Sequence, residues 1–388
     1  MILKLAMRNL MGAGIRTWLN ALVLSLCFVI IIWAQGLYDG MTRQVSDVRI
    51  RLEIGGGQYW HPHYDAYDPF SLQDAHAKLP RQLRYLVEKS RATPILIRPG
   101  AIYPDGHMQS VLLKGVDPEQ MILEFPSKFL VAESGQAPAM IGGRMAESTG
   151  LKEGDDVMIR WRDVNGTFDA KEVTIVRIMQ TDVQSIDVGQ IWLPLDELQA
   201  MAAIPDQATL VVVDQKEQRS LEPSWPFFDQ DYLLRDLHQL VKAKSMGSIV
   251  FYAILLSLAL LAIFNTQVLS IFRRRKEIGT LIALGMRRRQ VVHLFTLEGG
   301  LHGVLAGLMG AIYGIPLLAW TAMEGLPMPE GTEGFGFAIG QSLYPVYSVK
   351  LIVVTTLFIL LAATLVSYLP SRSIARWNPT QALKGNIS

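Results

Sequence analysis

Within "HPHYDAYD", residues 61–68, stand His61, His63, Asp65 and Asp68, imidazoles and carboxylates at spacings that could hold a divalent metal. The same Pro-containing, Tyr-rich stretch also reads as an ordinary surface loop, and no metal site is expected. Farther along, His293, Glu298 and His302 lie at one end of an apolar run, Glu298 and His302 one helical turn apart. A carboxylate at membrane depth is costly. It suggests either a proton relay or a hydrogen-bonded glutamate that ties helices together, and the lack of acidic partners along the other apolar runs favours the second reading. No Gly-x4-Gly-Lys-[Ser/Thr] loop occurs, and "GGGQ" at 55–58 lacks both the lysine and the following helix. The one cysteine, Cys27, sits in an apolar run where a thiolate is disfavoured. Catalysis by this chain, and nucleotide or any other cofactor bound to it, are therefore not expected.

The elements that must carry these residues are largely apolar. Half of the 388 residues are hydrophobic and 18% are charged, against roughly 25% charged in soluble domains. Four runs are long enough for a hydrocarbon core of about 30 Å: 18–37, 247–272, 294–320 and 349–369. The first, preceded by Lys4, Arg8 and Arg16, resembles a signal peptide but exceeds the usual apolar length of one. Residues 1–17, 273–289 and 370–388 hold 13 of the 36 Lys and Arg residues but only one of the 35 acids, Glu277. This asymmetry puts both termini and the 273–293 segment in the cytoplasm, with 38–246 and 321–348 outside. The net charge of +1 argues against a nucleic-acid partner.

Residues 2–16 have one apolar and one basic face, which suggests an interfacial elbow helix. Residues 38–246 have the composition of a folded domain. β-rich runs recur at 94–98, 110–116, 156–161, 172–179, 189–194 and 208–213, with an Asn165-Gly166 hairpin signal. Helical patterns at 74–90 and 195–203 make this domain α+β. Residues 214–246 read as a helical stalk entering the second span. In the third span Gly299, Gly303 and Gly307 recur every four residues, a pattern that lets helices approach closely, and Asn265 and Gln267 in the second span suit hydrogen bonds between helices. The expected fold is thus a membrane α-helical protein of four transmembrane helices, with a large extracytoplasmic α+β domain inserted between the first and second.

The densest charge lies in "RRRKEIGTLIALGMRRRQVVHLFTLEG", residues 273–299, where an apolar segment too short to span separates two basic clusters. This stretch resembles the signature of the FtsX-like permease domain. "PSRSIARWNPTQALKG", 370–385, is similar to that family's closing pattern. "LLKGVDP" (112–118), "IGGRMAESTGLKEGDDVMI" (141–159) and "IWLPLDELQAM" (191–201) resemble the MacB-like periplasmic core domain.

The resemblance implies a permease subunit of a type VII ABC transporter in the inner membrane. Such subunits act as pairs with a second copy or a related chain, and a separate cytoplasmic ATPase binds ATP and Mg. Closure of the ATPase moves the outer domains, which is mechanotransmission. It also implies that 273–293 is the coupling segment, with Lys276, Glu277, Ile278, Gly279, Leu281, Ile282, Ala283, Leu284, Gly285 and Arg287 as candidate ATPase contacts. Arg274, Arg275, Arg287 and Arg288 would serve acidic lipid and acidic groups of the partner. The layout is most similar to the lipoprotein-releasing LolC/LolE branch, which implies a lipoprotein and a periplasmic chaperone as further partners. Export of peptides or drugs with an adaptor, and regulation of a cell-wall hydrolase, are the alternatives.

Overall fold

The computed structural model describes Ala6 and residues 14–131, 136–179, 187–217, 224–327 and 342–376. The expected elbow helix at 2–16, most of the tail at 370–388 and the centre of the 321–348 loop fall mainly outside these residues. The chain divides into two compact units, one of them built on Thr42–Gln239 and the other on residues up to Met41, Leu240–Pro327 and residues from Leu343.

Helix α1, Ile15–Arg49, outlasts its apolar run at 37 by twelve residues. It ends in a single π turn, Ile50–Ile54, closed by a Gly55 N–H donated to the Ile50 carbonyl (2.7 Å), with Gly55 at φ +60°. The Thr42–Gln239 unit then lays down β1 (Gln58–Trp60), β2 (Ala77–Lys78), α2 (Arg81–Glu88), β3 (Ala92–Ile102), β4 (Gln109–Val116) and β5 (Ala137–Gly142). There follow α3 (Gly143–Thr149), β6 (Asp156–Arg162), β7 (Phe168–Met179), β8 (Gln190–Pro194), α4 (Leu195–Met201), β9 (Gln207–Ala208), β10 (Leu210–Val213), β11 (Phe227–Phe228) and α5 (Gln230–Leu233).

The main sheet runs β11-β1-β10-β3-β4-β8-β5-β7-β6, and β6 returns to pair with β3 through Gly100↔Trp161 and its neighbours. One edge of β3 holds β4, while the other holds β10 at its start and β6 at its end. Six strands therefore close on themselves and abolish most free edges. Gly100 sits at the closure, where a Cβ would press on Leu113 and the Arg160 carbonyl. Strand β6 alternates strictly, Val157, Ile159 and Trp161 facing the core with Leu113, Ile141, Ile175 and Ile191. The buried Trp161 indole donates to the Met201 carbonyl (2.6 Å), satisfying its one polar atom.

Two elements differ from expectation. The helix read over 74–90 is confined to Arg81–Glu88, because Pro80 has no N–H to donate and is extended (ψ 149°), and Ala77–Lys78 pair with β9 instead. The stalk begins at Arg235, not 214, since Trp225 is buried and Phe227–Phe228 pair with β1.

In the other unit, α6 (Arg235–Arg273), α7 (Arg275–Ala283), α8 (Arg288–Glu324) and α9 (Val349–Arg372) follow. By length and composition α1, α6, α8 and α9 are each able to cross a membrane. Their shared core joins Leu24, Phe28, Ile263, Ala306, Ile359 and Ala363.

Candidate functional site

The basic stretch folds as a bend, a two-turn helix and a tight stop. Arg274 leaves helical geometry (φ −95°, ψ 19°), separating α6 from α7 by one residue. Helix α7 ends in a Schellman motif: the Gly285 N–H donates to the Ile282 carbonyl and the Met286 N–H to the Leu281 carbonyl, both 3.1 Å. The motif needs a left-handed residue, and Gly285 takes φ +96°. Two residues later α8 starts, the Gln290 amide oxygen accepting the Arg287 N–H (2.9 Å). The sequence "LGMRRRQ" thus encodes one helix's stop and the next one's start.

One face of α7 is used internally. Ile278 and Gly279 are buried, and Ile278, with the half-buried Ile282 and Met286, packs against Ile271, Val291, Val292 and Phe295. These two candidate contacts therefore anchor the segment and are not on its surface. Lys276, Glu277, Ala283, Gly285 and Arg287 are exposed, Leu281 is half-buried, and Leu284 is 80% exposed. Positions 276, 280 and 283 share one helical face, and Leu284 follows as the C-cap of α7.

Arg274 fixes the orientation of that face. Its guanidinium donates to both Glu277 oxygens at 2.7 Å and to both Glu298 oxygens at 3.0 and 3.2 Å, and it stacks over the Phe295 ring at 5.0 Å. Such a fork is specific to arginine. The hydrogen bond from Arg274 holds the Glu277 carboxyl below the usual carboxylate range. The bonds to Glu277 in turn raise the guanidinium above its ordinary value. Arg274 thus differs from the role expected for it toward lipid and partner: it is committed inside the chain. Glu298 is 3% exposed, and the buried acid needs a cation. That requirement was the sequence signal that could have located its partner. The His302 imidazole meets the Glu298 backbone carbonyl within α8 (2.9 Å), not its carboxylate, and the carboxylate goes instead to Arg274.

Gly299 lies where α8 meets α9, and a Cβ there would collide with the Ser367 hydroxyl and crowd the Gln267 amide. Gly303 faces Leu360 and Ala363. Gly307 has nothing within 4 Å of a built Cβ. A four-residue repeat drifts off a 3.6-residue helix, so the close-packed stripe passes through buried Ala306 and on to Gly310 and Gly314 against Ser25 and Val29 of α1. Gln267 is buried, whereas Asn265 is exposed. Bonds between spans that sequence reading missed include Asn20 Nδ2 to Thr266 Oγ1 (2.6 Å), Tyr38 to Ser248 (2.7 Å) and Ser25 to Tyr313 (3.1 Å).

At 61–68 the two imidazoles stack edge-on at 5.4 Å, while Asp65 accepts the Tyr67 N–H and Asp68 the Phe70 N–H. Among the described residues no group of three or more His, Cys, Asp or Glu is placed to hold a metal.

The bend, α7 and the stop all fall within residues 249–379, which match the family model described as FtsX-like permease C-terminal. This chain carries an FtsX-like permease domain. The chain is 32% identical over 181 residues to an uncharacterised ABC transporter permease of Methanocaldococcus jannaschii, covering 45% of this chain and 42% of that protein. It is 21% identical over 326 residues to the lipoprotein-releasing system transmembrane protein LolC of Neisseria meningitidis, covering 76% and 77%. It is 30% identical over 164 residues to the macrolide export ATP-binding/permease protein MacB of Wolinella succinogenes, covering 40% and 22%. The matches thus span less than half of the archaeal protein and about a fifth of MacB, and most of LolC.

Proposed function

We propose that this chain is the membrane subunit of an ABC transporter in which α7 docks on a separate cytoplasmic ATPase. The observation that carries this reading is the exposed, rigidly held face of α7 with Leu284 at its tip. An 80% exposed leucine beside Ala283, with exposed Lys276 on the same helix and exposed Arg287 just past the stop, suits a groove with an apolar floor and an acidic rim. The Arg274 fork and the Gly285 stop make the segment stiff, so motion imposed on α7 passes into α6 and α8 and is not absorbed locally. ATP and Mg belong to the ATPase in this reading, both termini are cytoplasmic in the inner membrane, and a second permease chain completes the assembly across four spans per copy.

The cargo we favour is lipoprotein, because the LolC match runs through three quarters of both chains whereas the MacB match covers two fifths of this one. The outer α+β unit would then hand the cargo on to a periplasmic chaperone. Affinity isolation of the tagged chain from its own membranes, followed by mass spectrometry, tests this. An ABC ATPase together with triacylated lipoprotein is expected. A membrane-fusion adaptor without lipoprotein would favour export, and recovery without any ATPase would contradict the subunit reading.

A further inference from the structure

Inside the Thr42–Gln239 unit a cavity of about 220 Å³ opens where α1 gives way to its π turn and α6 begins. It is below the roughly 300–1,000 Å³ of sites for drug-sized ligands, so its occupant is small. Single π turns cluster at functional sites, and this one brings Glu53 to the cavity beside Arg49. Lys114, 5% exposed, donates to Glu53 Oε1 at 3.0 Å and lies 4.9 Å over the Trp192 ring, which fixes one carboxylate oxygen. The other, Oε2, makes no hydrogen bond, and neither does the buried Arg49 Nε; the nearest approach between the two side chains is Nη2 to Oε2 at 3.6 Å. The two side chains thus make a long ion contact one helical turn apart, with hydrogen-bonding capacity left over on each.

The opposite wall is aromatic. Trp60 meets Tyr64 edge-on at 4.9 Å and Tyr232 at 6.4 Å, and its indole is held by Gln58 (2.7 Å), whose own amide is held by the Glu53 carbonyl (2.9 Å). Asp236 closes the rim, accepting the Tyr67 hydroxyl and pushing that phenol up to about 12. Aromatic faces with carboxylates beside them attract organic cations, while a guanidinium attracts a carboxylate.

The geometry points to a binding site for a compact zwitterion of the betaine or α-amino acid class, its ammonium against Trp60, Tyr64 and Glu53 and its carboxylate on Arg49. The reading goes beyond the coupling function, and it makes the outer unit a sensor of a small molecule at the base of two long helices. The test is calorimetric titration of the full-length chain, in phosphatidylglycerol nanodiscs, with glycine betaine. Saturable one-to-one binding is expected. Arg49→Gln and Tyr232→Leu should each weaken it at least about tenfold, or roughly 1.4 kcal/mol. Tyr232 is 39% exposed, so its replacement perturbs the fold less than that of a fully buried ring. Tetramethylammonium chloride and sodium acetate should each bind at least about tenfold more weakly than betaine. Repeating the titration in phosphatidylcholine discs separates two sources: suppressed uptake means a lipid headgroup fills the site, and unchanged uptake means a soluble ligand. No saturable uptake of betaine in phosphatidylglycerol discs, or equal binding of tetramethylammonium, would overturn the assignment.

Discussion

The guanidinium of Arg274 lies 3.0 Å from the buried carboxylate of Glu298, joining the bend before α7 to the first turns of α8. Only one of the two is well buried, Glu298 at 4% side-chain exposure against 21% for Arg274. Removing the cation therefore strands an acid in an apolar setting. Arg274→Ala should destabilise the helical unit by on the order of 3 kcal/mol. Arg274→Lys should recover only part of this, since an ammonium cannot fork to Glu277 and Glu298 together. Thermal unfolding in detergent reads the ordering wild type, Lys, Ala; equal midpoints for all three would refute the clamp.

The Glu277 arm of the same fork has a predictable pH response. Because Arg274 lowers its folded pKa, the contribution of Glu277 is complete above the usual carboxylate range and is lost as pH falls through the lowered value. Unfolding midpoints of wild type and Glu277→Gln should differ by a constant amount from pH 6 to 8, roughly neutral conditions, and converge in acid. A gap that widens on acidification contradicts the assignment.

Two glycines of one motif should behave oppositely. Gly299→Ala forces a methyl into Ser367 and should cost about 1–3 kcal/mol. Gly307→Ala meets open space and should stay within about 0.5 kcal/mol of wild type. Comparing the two variants in one unfolding assay decides whether the stripe follows the helix or the letter pattern.

Gly285→Val replaces a residue at φ +96° with one that avoids that region. It should fray the end of α7 while leaving α8 and α9 packed. Proteolysis near 285 is expected to quicken while the unfolding midpoint moves little. Unchanged cleavage would mean that the stop does not need glycine.

The contrast between Gly299 and Gly307 illustrates what was legible in the sequence. Local signals were readable: the β-rich run that becomes β6, the turn with Gly166 at φ +84° joining it to β7, and four apolar runs that lie in helices. What depends on distant chain was not. The return of β6 to β3 joins residues about sixty apart, and no periodicity announces it. The Arg274–Glu298 pair was hidden because a cation in a basic cluster reads as surface, and only the demand of a buried carboxylate singles out one arginine among seven cations. The burial of Ile278 and Gly279 likewise follows from how α7 folds back on α6 and α8, which fixes which side of an apolar segment is left over.

That leftover side carries the central claim, and a photo-crosslinker placed in turn at Leu284, Thr280 and Ile278 of the full-length chain in its own membranes tests it most directly. Adducts to an ABC ATPase are predicted from 284 and 280 and not from the buried 278. Adducts from 284 only to lipid or to another permease chain, with none to an ATPase, would contradict it.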